Sequence, residues 1–208
     1  MNSATQAIGL HGGAGAVEAL RDVPVDGPVR GTVVIAHPHP LYGGTMHNKV
    51  VQTLARAFVQ CGWQAVRFNF RGVGASEGTH DGGQGEAADM HSVIEQVASA
   101  GPLALAGFSF GAFVSSHVAH ALHAQRSVDK LVLVGTAASR FSVAPVPADW
   151  HERTLVIHGE QDDTVPLSSV MDWARPQALP VTVIPGVAHF FHGQLPLLRS
   201  LVVRHLQA

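Results

Sequence analysis

The sequence predicts an α/β fold: a three-layer α/β/α sandwich around a mostly parallel central sheet. Three observations carry this. Short runs such as Thr32-Val33-Val34-Ile35-Ala36 are continuously apolar and β-branched, as strands covered on both faces must be. These runs alternate with stretches whose apolar residues fall at helical spacing, the order of a βαβ chain. The chain has 208 residues, 46% of them hydrophobic and 13% charged, which suits one buried core and excludes disorder and coiled coil. One domain over residues 1–208 is expected.

The elements follow in chain order. Ala7–Leu10, the turn His11–Gly15 and Ala16–Leu20 read as a β-hairpin. Thr32–Ala36 is a buried strand, followed by the turn-rich His37–Gly44. Met46, Val50, Val51, Leu54, Phe58 and Cys61 then mark a helix, with Thr45 expected as N-cap and Gly62 as stop. Ala65–Phe70 is a strand, Arg71–Gly85 a glycine-rich loop, and Glu86–Ala100 a helix stopped by Gly101-Pro102. Leu103–Phe108 is a strand and Phe110–Ala124 a nearly all-apolar helix. Leu131–Val134, Leu155–Ile157 and Val181–Ile184 complete the strands. Leu167–Ala174 and Phe190–Leu206 are further helices.

Composition excludes several functions. A net charge of -2 argues against a nucleic-acid surface, which needs a basic stripe. From Gln96 to Gln125 no charged residue occurs, but Gly101-Pro102, Gly107, Gly111 and three histidines interrupt the run, so a membrane span is not expected. Cys61 is the only cysteine, which excludes an internal disulfide and suits a reducing, cytoplasmic compartment. Met1–Gln6 carries no basic or long apolar segment, so no signal peptide is expected. His117, His120 and His123 recur every third residue, but without nearby carboxylates they suit a packed helix face better than a metal site. Neither a metal nor another cofactor is called for. The weakly charged surface permits a monomer or a homodimer.

The chemistry gathers behind the strands, where open α/β sheets bind ligands. Gly107-Phe108-Ser109-Phe110-Gly111 follows a buried strand and opens a helix, the context in which a G-x-S-x-G pattern forms a nucleophile elbow. A serine needs a base, and the base a carboxylate. The order Ser, acid, His is satisfied by Ser109, by Asp162 or Asp163 after Leu155–Ile157, and by His189 after Val181–Ile184.

At these residues the chain resembles the α/β-hydrolase superfamily. His158-Gly159-Glu160-Gln161-Asp162 is similar to its acid loop, which implies Asp162 rather than Asp163. Gly186-Val187-Ala188-His189 is similar to its histidine loop. A narrower likeness, to small lidless bacterial serine hydrolases, rests on His37-Pro38-His39-Pro40-Leu41-Tyr42-Gly43-Gly44, on Arg67-Phe68-Asn69-Phe70-Arg71-Gly72-Val73-Gly74 and on His189-Phe190-Phe191-His192-Gly193. The resemblance implies a serine hydrolase without a cap domain, with Ser109, His189 and Asp162 as catalytic residues.

Its substrate would be a small-molecule carboxylic ester or thioester. A peptidase on the same residues and a non-catalytic binding protein of this fold are the alternatives. The backbone N–H of Phe110 should form one half of an oxyanion hole. The other half falls on Leu41, which lies beyond both prolines, or on His39. Tyr42, Phe141, Trp150 and His192 are the expected pocket walls. Arg71 reads as the brace of a turn, paired with Glu86 or Asp89.

Overall fold

The structure, a computed structural model, describes residues 5–208. The reading of Met1–Gln6 rests in part on residues 1–4, which lie outside the described residues. Strands β1 (Thr5–Gly12) and β2 (Gly15–Asp22) form the antiparallel hairpin. Strands β3 (Thr32–Ala36), β4 (Gln64–Phe68), β5 (Leu103–Phe108), β6 (Lys130–Val134), β7 (Thr154–Gly159) and β8 (Val181–Ile184) pair in parallel. Across the sheet the order is β1-β2-β4-β3-β5-β6-β7-β8, with β2 antiparallel to β4.

Among the described residues, five α-helices cover the two faces. Helices α2 (Gln84–Val97), α3 (Phe110–Leu122) and α4 (Leu167–Ala174) pack on one face, where Met90, Val93, Val114, Val118 and Val170 join the sheet's Val34, Leu105 and Leu133. Helices α1 (Lys49–Gln60) and α5 (Leu195–Gln207) cover the other, with Leu54, Phe58, Leu198 and Val202 against Ile35, Ala106 and Val134. The central strands are therefore buried on both sides, which is why their sequences do not alternate. The fold is that of an α/β-hydrolase without a cap domain.

Three helix starts differ from expectation, α2 by opening at Gln84 rather than Glu86. Helix α1 begins at Lys49 because the Asn48 side chain accepts the Val50 N–H at 2.8 Å; Thr45 lies in the preceding turn, where its hydroxyl accepts the His47 N–H. Helix α5 begins at Leu195 rather than near Phe190, since Phe191 and Gly193 adopt positive φ of 54° and 75°. A right-handed helix cannot pass through two such residues.

Arg67 and Asn69 brace the hairpin edge. Arg67 donates twice to Asp22 at 2.9 and 3.0 Å and once to the Met46 carbonyl. Asn69 accepts the Met46 N–H and donates to Glu18. Arg71 donates to both oxygens of Asp89 at 2.7 and 2.9 Å, while Glu86 turns instead to His80. No helix among the described residues is long and apolar enough to cross a membrane.

Candidate active site

Strand order reverses between β3 and β5: the chain crosses from β3 to β4 on one side and to β5 on the other. The crevice at the carboxyl ends of these two strands is where such sheets bind ligands. Two segments meet there, the loop His37–Gly44 after β3 and the turn after β5.

Ser109 sits in that turn with φ 57° and ψ −116°, a conformation L-residues rarely adopt. Its N–H bonds to the Val134 carbonyl at 2.8 Å, and α3 starts at the next residue. The flanking glycines are sterically required. A Cβ on Gly107 would lie 2.2 Å from the Gly111 carbonyl oxygen, and one on Gly111 would lie 2.3 Å from that of Ala36. Ser109 is thus held 7% exposed at the positive end of α3.

His189 arrives from the loop after β8 and Asp162 from the loop after β7. His189 Nε2 lies 3.1 Å from Ser109 Oγ, and its Nδ1 lies 2.6 Å from Asp162 Oδ2. The other oxygen of Asp162 accepts the N–H groups of Thr164 and Val165 at 3.0 and 2.7 Å. Two backbone donors on that oxygen hold the carboxylate aimed at the imidazole. Asp162 is buried, whereas Asp163 is exposed and, among the described residues, accepts a side-chain hydrogen bond only from its neighbour's hydroxyl. His158, fully buried beside Asp162, donates its Nε2–H to the Val165 carbonyl; burial holds its pKa below the ordinary range, so it stays neutral.

The His37–Gly44 loop corrects one expectation. The Leu41 N–H is engaged by His39 Nδ1 at 3.2 Å and its side chain is exposed, so Leu41 does not fit the second half of an oxyanion hole. The N–H groups of Tyr42, Gly43 and Gly44 close turns onto His39 and Pro40 carbonyls. That leaves His39, whose N–H meets no acceptor among the described residues. Phe110, first residue of α3, likewise has no intrahelical partner for its N–H. His37 anchors the loop's start: its Nδ1–H donates to the Pro38 carbonyl at 2.6 Å and its Nε2 accepts the Phe70 N–H at 3.0 Å.

A cleft of about 360 Å³ opens over Ser109 and His189. His39, Tyr42, Phe110, Phe141 and Phe190 form its ring-lined walls. Tyr42 and Phe141 therefore stand where the sequence reading puts them. Trp150 and His192 do not. Trp150 is buried in the core against the His123 ring. His192 is exposed beyond Phe190, outside the cleft, because the positive-φ turn at Phe191 carries the chain away. Sequence reasoning missed Asn48, Arg140, Thr164 and Phe190 as lining residues. Their signal was positional, since Arg140 closely follows β6 and Phe190 follows His189.

His117, His120 and His123 hold the connection after β6 down on α3. Their rings meet the Ser142 and Pro145 carbonyls and the Asp149 carboxylate at 2.8, 3.2 and 2.9 Å. Among the described residues no group of three His, Cys, Asp or Glu side chains could hold a metal ion.

A family model described as serine aminopeptidase, S33, matches residues 27–152, more than half of the chain. The chain belongs to this family. The S33 match spans Ser109 and the β3 loop, and ends before Asp162 and His189. The S33 chain is similar to an α/β serine hydrolase without a lid from Xanthomonas campestris, 34% identical with a TM-score of 0.87, covering 100% of this chain and 95% of that one. It is also similar to an α/β serine hydrolase homologue from Coxiella burnetii, 40% identical with a TM-score of 0.82 and 97% of each chain covered. An uncharacterized protein of Rickettsia prowazekii is 29% identical over 201 residues, 88% of this chain and 81% of that protein. These likenesses identify the S33 chain as a hydrolase of the α/β-hydrolase superfamily.

Proposed function

We propose that this hydrolase acts by acyl transfer on small carboxylic esters or thioesters, with Ser109 as nucleophile, His189 as general base and acid, and Asp162 as the residue that orients His189 and stabilises its charged form. The observation that carries the proposal is the unbroken Ser109–His189–Asp162 hydrogen-bond chain, with distances of 3.1 and 2.6 Å, at the floor of the ring-lined cleft. His189 Nε2 takes the Ser109 proton as Oγ attacks the carbonyl carbon. The resulting oxyanion is met by the N–H groups of Phe110 and His39. Collapse expels the alcohol or thiol, which leaves with the proton from His189. Water then repeats the sequence on the acyl-enzyme. No step calls for a cofactor.

The family description raises the alternative of an aminopeptidase. Such an enzyme must hold a protonated α-amine, and a carboxylate in the site is the usual means. Among the described residues no Asp or Glu lines the cleft, and its charged side chain is Arg140, which repels an amine. The electrostatics therefore support the ester reading.

Labelling by a fluorophosphonate probe separates an enzyme from a binding protein. Ser109→Ala should abolish labelling and lower kcat on p-nitrophenyl butyrate by at least about 10³-fold, with an unchanged circular dichroism spectrum. Undiminished turnover in that variant refutes the assignment. A panel of esters, thioesters and aminoacyl amides reads out the substrate class, and turnover of the amides alone would favour the peptidase.

A further inference from the structure

We infer that Arg140 makes this site selective for esters that carry an anionic group, a carboxylate above all, at a distance from the scissile carbonyl. This rests on the acyl-transfer reading and adds the substrate's charge to it. Among the residues lining the cleft, Arg140 is the one with a permanent charge; the rest are His39, His189 and uncharged side chains. His39 adds little positive charge at neutral pH. Burial, and then the nearby charges of His80 and Arg140, hold its pKa below the ordinary range.

Arg140 is also free to bind. Among the described residues it makes no ion pair, and its guanidinium donates no hydrogen bond to a side chain or carbonyl. The arginines at positions 67, 71 and 175 are each paired with an aspartate. Asp163, the exposed carboxylate beside the lining residue Thr164, bonds the Thr164 hydroxyl and does not pair with Arg140.

The position of Arg140 is fixed by its surroundings. Arg140 and Phe141 donate their N–H groups to the Ala137 carbonyl at 3.2 and 3.1 Å, and Phe141 stacks on Phe113 with ring centroids 4.7 Å apart. The guanidinium carbon lies over the Tyr42 ring, 5.9 Å from its centroid, which keeps the charge beside a ring of the cleft wall. An unpaired arginine fork beside apolar rings is matched by a planar carboxylate on an otherwise apolar substrate. The carboxylate can belong to the acyl or to the alcohol part, and the test distinguishes the two.

The experiment compares two pairs of esters on the full-length protein. For the alcohol side the pair is 4-carboxyphenyl butyrate and its neutral methyl carboxylate ester. For the acyl side it is the p-nitrophenyl monoester of adipic acid and p-nitrophenyl hexanoate. The readout is the ratio of kcat/KM, charged over neutral, so that a general loss of activity cancels.

In at least one pair the wild-type ratio should be about fivefold or more at low ionic strength and should shrink towards one in 0.5 M salt, as expected for an exposed ion pair. Arg140→Gln should bring it to about one, Arg140→Lys should partly restore it, and Arg140→Glu should invert it. If the wild type hydrolyses the neutral esters with a ratio of one or below in both pairs, or if Arg140→Gln keeps the wild-type ratio, this inference falls while the acyl-transfer reading stands. If the wild type hydrolyses none of the four, both fall.

Discussion

The adjacent carboxylates Asp162 and Asp163 show what one residue of register decides. Asp162 points inward, accepts two backbone N–H groups and meets His189 Nδ1, while Asp163 points to solvent. On the proposed mechanism, the acceptor oxygen of Asp162 at His189 Nδ1 favours the imidazole tautomer whose Nε2 can accept the serine proton. Asp162→Asn should therefore lower kcat/KM about 10³–10⁴-fold, since an amide favours the wrong tautomer. Asp163→Asn should stay within about threefold of wild type. Steady-state assays on p-nitrophenyl butyrate check both, and a larger loss in Asp163→Asn would move the acid by one position. The choice between the two was legible only through resemblance, because composition and spacing alone offer both. Leu41 and His39 were harder. Which N–H a double-proline loop leaves free depends on where the His39 ring turns back to accept Leu41, and no sequence pattern encodes that.

At the scale of elements, strands were more legible than helix ends. Continuous apolar runs located β3, β5 and β8 with their observed bounds, since a strand buried on both faces leaves little freedom in composition. Helix starts depend on single side-chain acceptors and on positive-φ turns, as at Asn48 and Phe191, and periodicity does not report these. The connection from β6 to β7 matters most for function. It carries Val143, Ala144, Val146 and Trp150 into the core and ends in a 3-10 turn at Ala148–Arg153, with its carbonyls held by the α3 histidines. Lying flat on α3, it builds no cap over Ser109. An acyl chain beyond the ring walls thus stays in water, where an added CH₂ forfeits the roughly 0.8 kcal/mol that burial would give. p-Nitrophenyl acetate and butyrate should have higher kcat/KM than the decanoate and palmitate, without activation at a lipid interface. A kcat/KM that climbs steadily to twelve carbons would show a deep acyl tunnel instead.

For the whole molecule, the same histidine that anchors the loop after β3 should govern acid stability. His37 is fully buried between β3 and the end of β4. Its two neighbours fix its proton: the Pro38 carbonyl can only accept and the Phe70 N–H can only donate. Burial opposes the charge and outweighs the Pro38 carbonyl, which favours it, so the folded pKa drops from 6.5 to about 4. Between those values the unfolded chain binds a proton that the folded chain refuses. Stability contributed by His37 is therefore complete above about pH 6.5, declines as pH falls, and levels off near pH 4, a total of about 3 kcal/mol. His158 and His205, also lowered by burial, act in the same direction. Glu86, whose carboxyl is raised by burial and by Asp81, acts in the opposite one, since its folded form holds a proton more readily. Urea unfolding at constant ionic strength from pH 4 to 8 separates these contributions when wild type is set beside His37→Gln. An amide can keep one of the two hydrogen bonds but cannot titrate. The variant should be less stable by about 1–3 kcal/mol at pH 7.5, from the hydrogen bond and packing it loses. It should lose less on acidification, so that the two curves converge towards pH 4. Parallel curves would mean that His37 is protonated in the folded protein at mild pH, and that the loop after β3 is anchored by some other contact.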